Sequence, residues 1–545
     1  MLKRIIYILL LGIAFTAKAQ EKQPKLIVGI VVDQMSYEYL YRFEKKYGKG
    51  GFKRLMKGTN CRSTHYNYVP TYTAPGHASI YTGTTPANHG IVANDWYRRS
   101  SNKLVNCVED LAVQTVGSEN NSGKFSPVNL KVNTVTDQLK LDRSTSKVIS
   151  LSIKNRGAIL PGGHLSDGTY WFDSKTGKMI SSSFYKSDLP EWVKLFNNQS
   201  IESLYLKQTW TTYFPIEQYT ESGPDDSPYE YLLGNKEKST FPYHLPSITT
   251  PENQFEIFVS TPFANTYLTD FAIRALENEQ LGKSATPDML CISYSSTDII
   301  GHAFGPQSVE IEDTYIRLDQ EIERLLKELD ARVGKGKYTV FLTADHAVSP
   351  VPQLLLDKKL AGGYLFVDEK LQVLKTQLTA KFGIDPILHL TNSSVYVDKK
   401  MIAESNKDYV AICQFIADEI RQWEGVKNVY TASQLINGVG SGDKWFDMFR
   451  KGYNYHESGD VLVQLESGYW ARSKDSEKSR KGTSHGSPYA YDTHVPLLWY
   501  GCGIPKKEIF RTVEIIDIAP TISHLLNISF PSATTGNVIV EIFTK

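Results

Sequence analysis

The chain has 545 residues, 41% of them hydrophobic and 22% charged. That is globular composition with enough apolar material for a large core, and it excludes a disordered, collagen-like or coiled-coil chain. Sixty lysines and arginines stand against 59 aspartates and glutamates, for a formal charge of +1. No nucleic-acid or anionic-membrane partner is therefore expected. At about 150 residues per domain, the length allows three or four units, or one α/β enzyme with large insertions.

The N-terminus reads as an export signal over residues 1–19. Lys3 and Arg4 form a basic start, and Ile5 to Phe15 is an apolar run too short to span a bilayer. Ala17-Lys18-Ala19 supplies a small-x-small cleavage pattern. Removing Lys3, Arg4 and Lys18 takes the formal charge from +1 to −2. The expectation is a periplasmic or secreted protein with no integral membrane segment after cleavage, acting as a monomer. Five cysteines (Cys61, Cys107, Cys291, Cys413, Cys502) are widely spaced with no Cys-x-x-Cys pair. One disulfide is possible, and spacing does not choose it.

Along the mature chain, short apolar runs end in polar residues of chemical interest. Leu26 to Val32 ends at Asp33, and Val148 to Ile153 ends at Lys154. Met289 to Tyr294 leads to Asp298, Tyr338 to Thr343 leads to Asp345 and His346, and Val495 to Tyr500 is a further run. Continuous β-branched runs predict strands buried on both faces, as in a parallel sheet. Between them, Val309 to Leu329 places Ile311, Tyr315, Leu318, Ile322, Leu325 and Leu329 on one helical face. Ile518 to Leu526 reads as a C-terminal helix with Asp517 at its start. This is an α/β pattern, in which ligands bind beyond the carboxyl ends of the strands. Two stretches, about 167–262 and about 351–480, break the rhythm and read as insertions that cap or flank the site.

The polar residues at those ends form one constellation. Asp298 and His302 lie four apart, Asp33 and Asp345-His346 follow strands, and His485 sits in a loop-like Gly-Thr-Ser-His-Gly stretch. Three Asp and three His are ligands that zinc accepts, enough for two ions with three protein ligands each. Such a pair, about 4 Å apart, is the usual device for in-line phosphoryl displacement. Taken singly, an Asp after a strand is ordinarily a helix N-cap and a lone His a structural residue. His494 reads as structural in this sense. Thr71, Thr73 and Ser79 flank a Pro-Gly turn into a helix, where free amides and the helix dipole favour an anion. Spacing leaves the choice among the three hydroxyls open. Lys154 and Arg156 fall on one side by strand alternation and suit a dianionic phosphoryl group.

Taken together the chain resembles the alkaline phosphatase superfamily, and within it the periplasmic alkaline phosphatases of the PafA type. The motifs that carry this are VVDQM over 31–35, TAPGH over 73–77, IYTG over 80–83, NDW over 94–96, KNR over 154–156, STD over 296–298, His302, TADH over 343–346 and GTSH over 482–485. They occur in family order over nearly the whole mature chain. The resemblance implies an alkaline-phosphatase-like three-layer sandwich, with a central mostly parallel sheet and large inserted cap segments within one catalytic domain, 20–545. It implies two Zn2+ ions, one held by Asp298, His302 and His485, the other by Asp33, Asp345 and His346 together with Thr73, which is also the nucleophile. Asn94, Lys154 and Arg156 would bind the non-bridging oxygens. The implied activity is hydrolysis of small-molecule phosphate monoesters through a phosphothreonine. A sulfatase would need a modifiable Cys or Ser where Thr73 stands, and diester-cleaving relatives generally lack the Lys-x-Arg pair. The alternatives are a phosphodiesterase or nucleotide pyrophosphatase of the same superfamily, and a non-catalytic phosphate-binding homologue. Ala347 stands where many members have Gly; a positive φ there would strain it.

Overall fold

The computed structural model describes residues 23–391 and 393–544, so the export signal lies outside the described residues. The apolar runs become the middle of a ten-stranded sheet. Its strands are β1 (Leu26–Val32), β2 (Thr59–His65), β3 (Thr115–Val116), β4 (Val148–Ser152), β5 (Gly168–Asp173), β6 (Lys178–Ser182), β7 (Asp288–Tyr294), β8 (Tyr338–Thr343), β9 (His494–Gly501) and β10 (Lys507–Glu514). Across the sheet the order is β10-β2-β9-β8-β1-β7-β4-β5-β6-β3. The five strands from β8 to β5 are parallel. Every residue of β1, β4, β7 and β8 is buried. Because successive side chains face opposite sides, both faces of the sheet are covered. Helices Thr73–Thr82, Asn155–Gly162 and Ile518–Leu526 pack as one group, and Phe263–Asn278 with Val309–Leu329 as another. The result is an α/β sandwich.

Three features depart from the linear reading. The Val495–Tyr500 run lies in β9, which is antiparallel to both its neighbours; an apolar run reports burial on both faces, not direction. Residues 168–182, expected outside the α/β rhythm, supply β5 and β6 to the main sheet. The aromatic content of β5 is the reason: Tyr170, Trp171 and Phe172 are all buried, filling space on both faces. All five cysteines are buried and unbridged. The 351–480 stretch carries a four-stranded antiparallel sheet of its own, ordered Ile387–Thr391, Ser394–Val397, Val461–Leu465, Val426–Thr431. Helices Val367–Phe382 and Tyr409–Arg421 share its separate core around Leu378, Val395, Ile412 and Ile416.

The Val309–Leu329 helix starts at Ser308, whose hydroxyl accepts from the Ile311 amide. The six apolar residues predicted for its core face are all buried. Its first turn also buries Glu310, which accepts from Tyr243 Oη at 2.6 Å. Burial pushes the Glu310 carboxyl up to about 8. An acid whose folded pKa is raised keeps its full share of stability below the unfolded pKa, near 4.5, and loses it as pH rises toward 8. Glu310→Gln retains an acceptor for Tyr243 without the ionisation. It is expected to be more stable than the parent at pH 9, with the difference shrinking at pH 5. Denaturant midpoints at the two pH values check this.

The Thr73–Thr82 helix is buried along its whole length and starts against the end of β8. A Cβ on Gly76 would lie 2.2 Å from the Asp345 carbonyl oxygen, so only glycine allows this approach. Overpacking of this kind costs about 1–3 kcal/mol, and Gly76→Ala is expected to lose that much in equilibrium unfolding. An unchanged unfolding free energy would mean the helix is free to shift.

Candidate metal centre and active site

The parallel strands deliver the acidic and imidazole groups to one end of the sheet. Asp33 follows β1, Asp345 and His346 follow β8, and the helix after β7, Ser296–Phe304, carries Asp298 and His302. His485 comes from the loop before β9. Two sets of three have ligand atoms within 4.8 Å of one another: Asp33, Asp345 and His346, and Asp298, His346 and His485. His346 thus stands in both, its ring stacked on that of His485 with centroids 3.4 Å apart. His302 lies at the edge of the second set. Its Nε2 is 3.1 Å from Asp298 Oδ1, and its ring centroid is 5.1 Å from that of His485.

These groups fit a pair of divalent cations. Each imidazole has its Nδ1 against a backbone carbonyl: His302 against Thr483 at 2.8 Å, His346 against Ala347 at 2.9 Å, His485 against Thr71 at 2.7 Å. An Nδ1–H donated there leaves Nε2 as a lone pair, the arrangement that orients a metal-ligating histidine. His346 Nε2 then faces Asp33 Oδ1 at 3.4 Å, and His485 Nε2 faces Asp298 Oδ1 at 3.7 Å, acceptor against acceptor. Asp33 Oδ1 and Asp345 Oδ2 are buried with no hydrogen-bond partner. Burial pushes His346 down to about 3. Burial, then His346 and His302, holds His485 well below the ordinary histidine range. Both rings are therefore neutral. Burial, then Asp298, raises the Asp33 carboxyl, and burial, then Asp33, raises Asp345. Carboxylates crowded this way are costly unless cations neutralise them.

Thr73 is the first residue of its helix, and its Oγ1 lies 3.4 Å from His346 Nε2. The other two hydroxyls point elsewhere. Thr71 Oγ1 donates to the Ser487 carbonyl, and Ser79 Oγ meets His89 Nε2 in the core. Asn94 Oδ1 accepts from the Ala74 amide at 2.9 Å, capping the same helix turn and leaving its NH2 group for other acceptors. Lys154 Nζ donates to Asp33 Oδ2 at 2.7 Å and also to Asp298 Oδ2, reaching from one set to the other. Burial alone would depress its pKa; Asp298 and Asp33 outweigh that and raise it. Lys154 and Arg156 line one open cavity of about 400 Å3 with Trp171 and Phe172. Both sit at the start of the Asn155–Gly162 helix, Lys154 as its N-cap and Arg156 as its second residue, and strand alternation does not place them: β4 stops at Ser152.

Several supporting residues lie within the sequence motifs but receive no role from the linear pattern. Gln34, at φ 65°, donates its amide N–H to Asp345 Oδ1 and its Nε2 to Asp298 Oδ1, at 3.1 and 2.6 Å. It ties the two sets together. Thr297 Oγ1 donates to the Asp33 carbonyl. His77 is buried with Nδ1 at 2.8 Å from the Thr73 carbonyl and Nε2 at 2.9 Å from Ser293 Oγ. It links the Thr73–Thr82 helix to β7. Ala347 is absent from the positive-φ positions, so the strain considered for it does not arise. Its amide donates to the Asp492 carbonyl. His494 stacks on Tyr37 and His65, away from the metal sets, in keeping with a structural role.

Comparison with known proteins identifies the class. The sequence model of the type I phosphodiesterase / nucleotide pyrophosphatase family matches residues 27–488, and the chain belongs to that family. It is 41% identical over 531 residues to the alkaline phosphatase PafA of Elizabethkingia meningoseptica, covering 96% of this chain and 95% of that one. A Myroides odoratus protein named calcium-transporting ATPase is also 41% identical, over 97% and 96% of the two chains. No helix among the described residues is long and apolar enough to cross a membrane. The crystal structure of wild-type PafA superposes with a TM-score of 0.90 at 40% identity, covering 96% of this chain and 99% of that one. Within the family, the chain is thus a close homologue of the bacterial PafA-type alkaline phosphatases, with the alkaline-phosphatase superfamily fold.

Proposed function

We propose that the chain is a zinc-dependent alkaline phosphatase of the periplasm, hydrolysing a range of phosphate monoesters through a covalent phosphothreonine on Thr73. Its PafA homology and paired metal-binding sets support the broader statement, a metal-dependent phosphomonoesterase with a covalent intermediate. The observation that carries the finer one is the position of Thr73 Oγ1 against one Asp/His set, with Lys154 spanning to the other.

Asp33, Asp345 and His346 would hold one zinc, and Asp298, His302 and His485 the other, with His346 adjoining both. When bound, the ions supply Lewis acidity, favouring the deprotonated hydroxyl and the departing oxygen. Thr73 Oγ1 attacks phosphorus in line with the leaving oxygen, and the P–O bond to the alcohol breaks as the Thr73 phosphoester forms. In the second step Thr73 Oγ1 is itself the leaving group, displaced by water, and inorganic phosphate is released. Lys154 and Arg156 neutralise the non-bridging oxygens, and the Asn94 NH2 donates to one of them. This matches the general rule that phosphoryl transfer is mostly positioning and charge neutralisation. A diester carries one charge fewer and offers less to both cations, so the pair favours monoesters.

Metal removal tests the reading. Exhaustive chelation is expected to abolish turnover of p-nitrophenyl phosphate, with activity restored by zinc to a content of two per chain. Full turnover after chelation would contradict it.

A further inference from the structure

None of the residues given a chemical role above comes from the smaller four-stranded sheet, yet that sheet holds the segment that carries Asn94. Asn94 leads into a short antiparallel hairpin, Asp95–Arg98 with Lys103–Asn106. Asn94 is only partly buried, but Trp96, two residues on, is fully buried. The indole shares one apolar cluster with Ala74 and Ala78 of the Thr73–Thr82 helix and with Ala158 of the Asn155–Gly162 helix. A buried indole N–H needs an acceptor. Trp96 Nε1 donates to Glu457 Oε2 at 2.7 Å, and Glu457 lies just before the Val461–Leu465 strand of the smaller sheet.

The same carboxylate oxygen accepts from Arg98 Nε at 3.1 Å, and Arg98 Nη2 donates to Asn129 Oδ1 at 2.9 Å. Asn129 Nδ2 donates to the Cys107 carbonyl at 3.1 Å, and the Cys107 amide donates to the Asn94 carbonyl at 2.9 Å. The bonds thus run from Glu457 through the hairpin and back to the Asn94 backbone. Two further contacts fix the hairpin to the smaller sheet. Arg99 Nη2 donates to Asp460 Oδ2 at 2.6 Å, and the Tyr396 hydroxyl donates to the Glu457 carbonyl at 3.2 Å. Glu457 and Asp460 are both buried, which shelters these charge-assisted bonds from water. The Ala74 amide can donate only to the oxygen of the Asn94 side chain, so the NH2 end is the one left for a phosphoryl oxygen. Where that NH2 stands is set by the Asn94 backbone, held by Cys107 on one side and by the Trp96 anchor on the other.

We propose that Glu457 is a positioning residue for Asn94, acting through Trp96, so that the smaller sheet is part of the frame that aims the Asn94 NH2 at the substrate. The inference rests on the phosphomonoesterase reading given above, in which that NH2 meets a non-bridging oxygen. Glu457 touches no reacting atom. Its carboxylate fixes the buried indole, and the indole fixes the residue two places before it.

The test is a double-mutant cycle on the zinc-loaded enzyme, read as kcat/KM for p-nitrophenyl phosphate. Glu457→Ala should lower it about tenfold, the kind of loss that follows a slight misplacement of a binding group. In an Asn94→Ala background the same change should cost less than about twofold, because an effect carried by Asn94 disappears with it. Glu457→Gln keeps an acceptor for the indole and should restore most of the loss. Trp96→Phe breaks the same hydrogen bond from the hairpin side and should show the same dependence on background, so the result does not hang on one variant folding. An equal loss in both backgrounds, or no loss in Glu457→Ala, would overturn the positioning role. Undiminished turnover in Asn94→Ala alone would instead overturn the assignment of Asn94 in the phosphomonoesterase reading, and this inference with it.

Discussion

Thr73→Ala is expected to reduce kcat/KM for p-nitrophenyl phosphate by on the order of 10^4-fold or more, the scale seen when a covalent nucleophile is deleted. The fold should survive. Thr73 is buried, but its hydroxyl makes a single long contact, 3.4 Å to His346 Nε2. The turn that presents it is held by backbone and neighbour contacts: the Gly76 amide to the Tyr72 carbonyl, Asn94 to the Ala74 amide, and His77 to the Thr73 carbonyl. None of these needs the Thr73 side chain. Zinc content should likewise be largely unchanged, because in the proposed site Asp33, Asp298, His302, Asp345, His346 and His485 remain to hold the ions. The informative experiment pairs turnover with metal analysis on the same preparation. Loss of activity with two zinc ions retained assigns the defect to the nucleophile. Activity within tenfold of the parent would exclude Thr73 as the covalent residue.

The second large effect is expected at Lys154. Lys154→Ala should lower monoester kcat/KM by about 10^2–10^3-fold, as for loss of a preorganised charge stabiliser. Diester turnover should fall much less, since a diester presents one charge fewer. The structure adds a complication with a definite sign. Lys154 Nζ contacts both Asp33 and Asp298, so its removal leaves these two carboxylates facing one another without a shared cation. Metal affinity should therefore change as well, and the comparison must be made at saturating zinc. Arg156→Ala is the cleaner companion, because Arg156 contacts no member of either set by hydrogen bond or ion pair among the described residues. Equal losses for monoester and diester in both variants would mean that these cations support structure and do not select substrate.

Much of the site was legible in the linear order because chemistry and burial share one pattern. β1, β7 and β8 each read as an apolar run, and the acidic and imidazole groups lie within a few residues after each run, buried at the sheet's carboxyl end. Asp33, Asp298, Asp345 and His346 follow directly from that coincidence. The Val309–Leu329 helix was equally plain, its apolar spacing being an imprint of one packed face. What stayed hidden depends on contacts between distant segments. β2 is polar through Arg62, Ser63 and Thr64 and offers no apolar run, yet it pairs between β9 and β10. Gln34 joins the two metal sets only because the chain turns left-handed there, and Gly301 leaves room: a Cβ on Gly301 would lie 1.9 Å from Gln34 Oε1. The shared place of His346 is likewise a matter of ring stacking on His485, 139 residues away in the chain, which spacing cannot express.

Substrate charge separates the monoesterase from a diesterase most directly. The direct measurement is the ratio of kcat/KM for p-nitrophenyl phosphate to that for bis-p-nitrophenyl phosphate, on the zinc-loaded mature chain at mildly alkaline pH with a chelated control. The two esters share a leaving group and differ in the charge that Lys154 and Arg156 meet. A ratio far above one, lost on chelation, is the predicted result. A ratio below one would contradict it and make the enzyme a diesterase whose two cations serve another purpose.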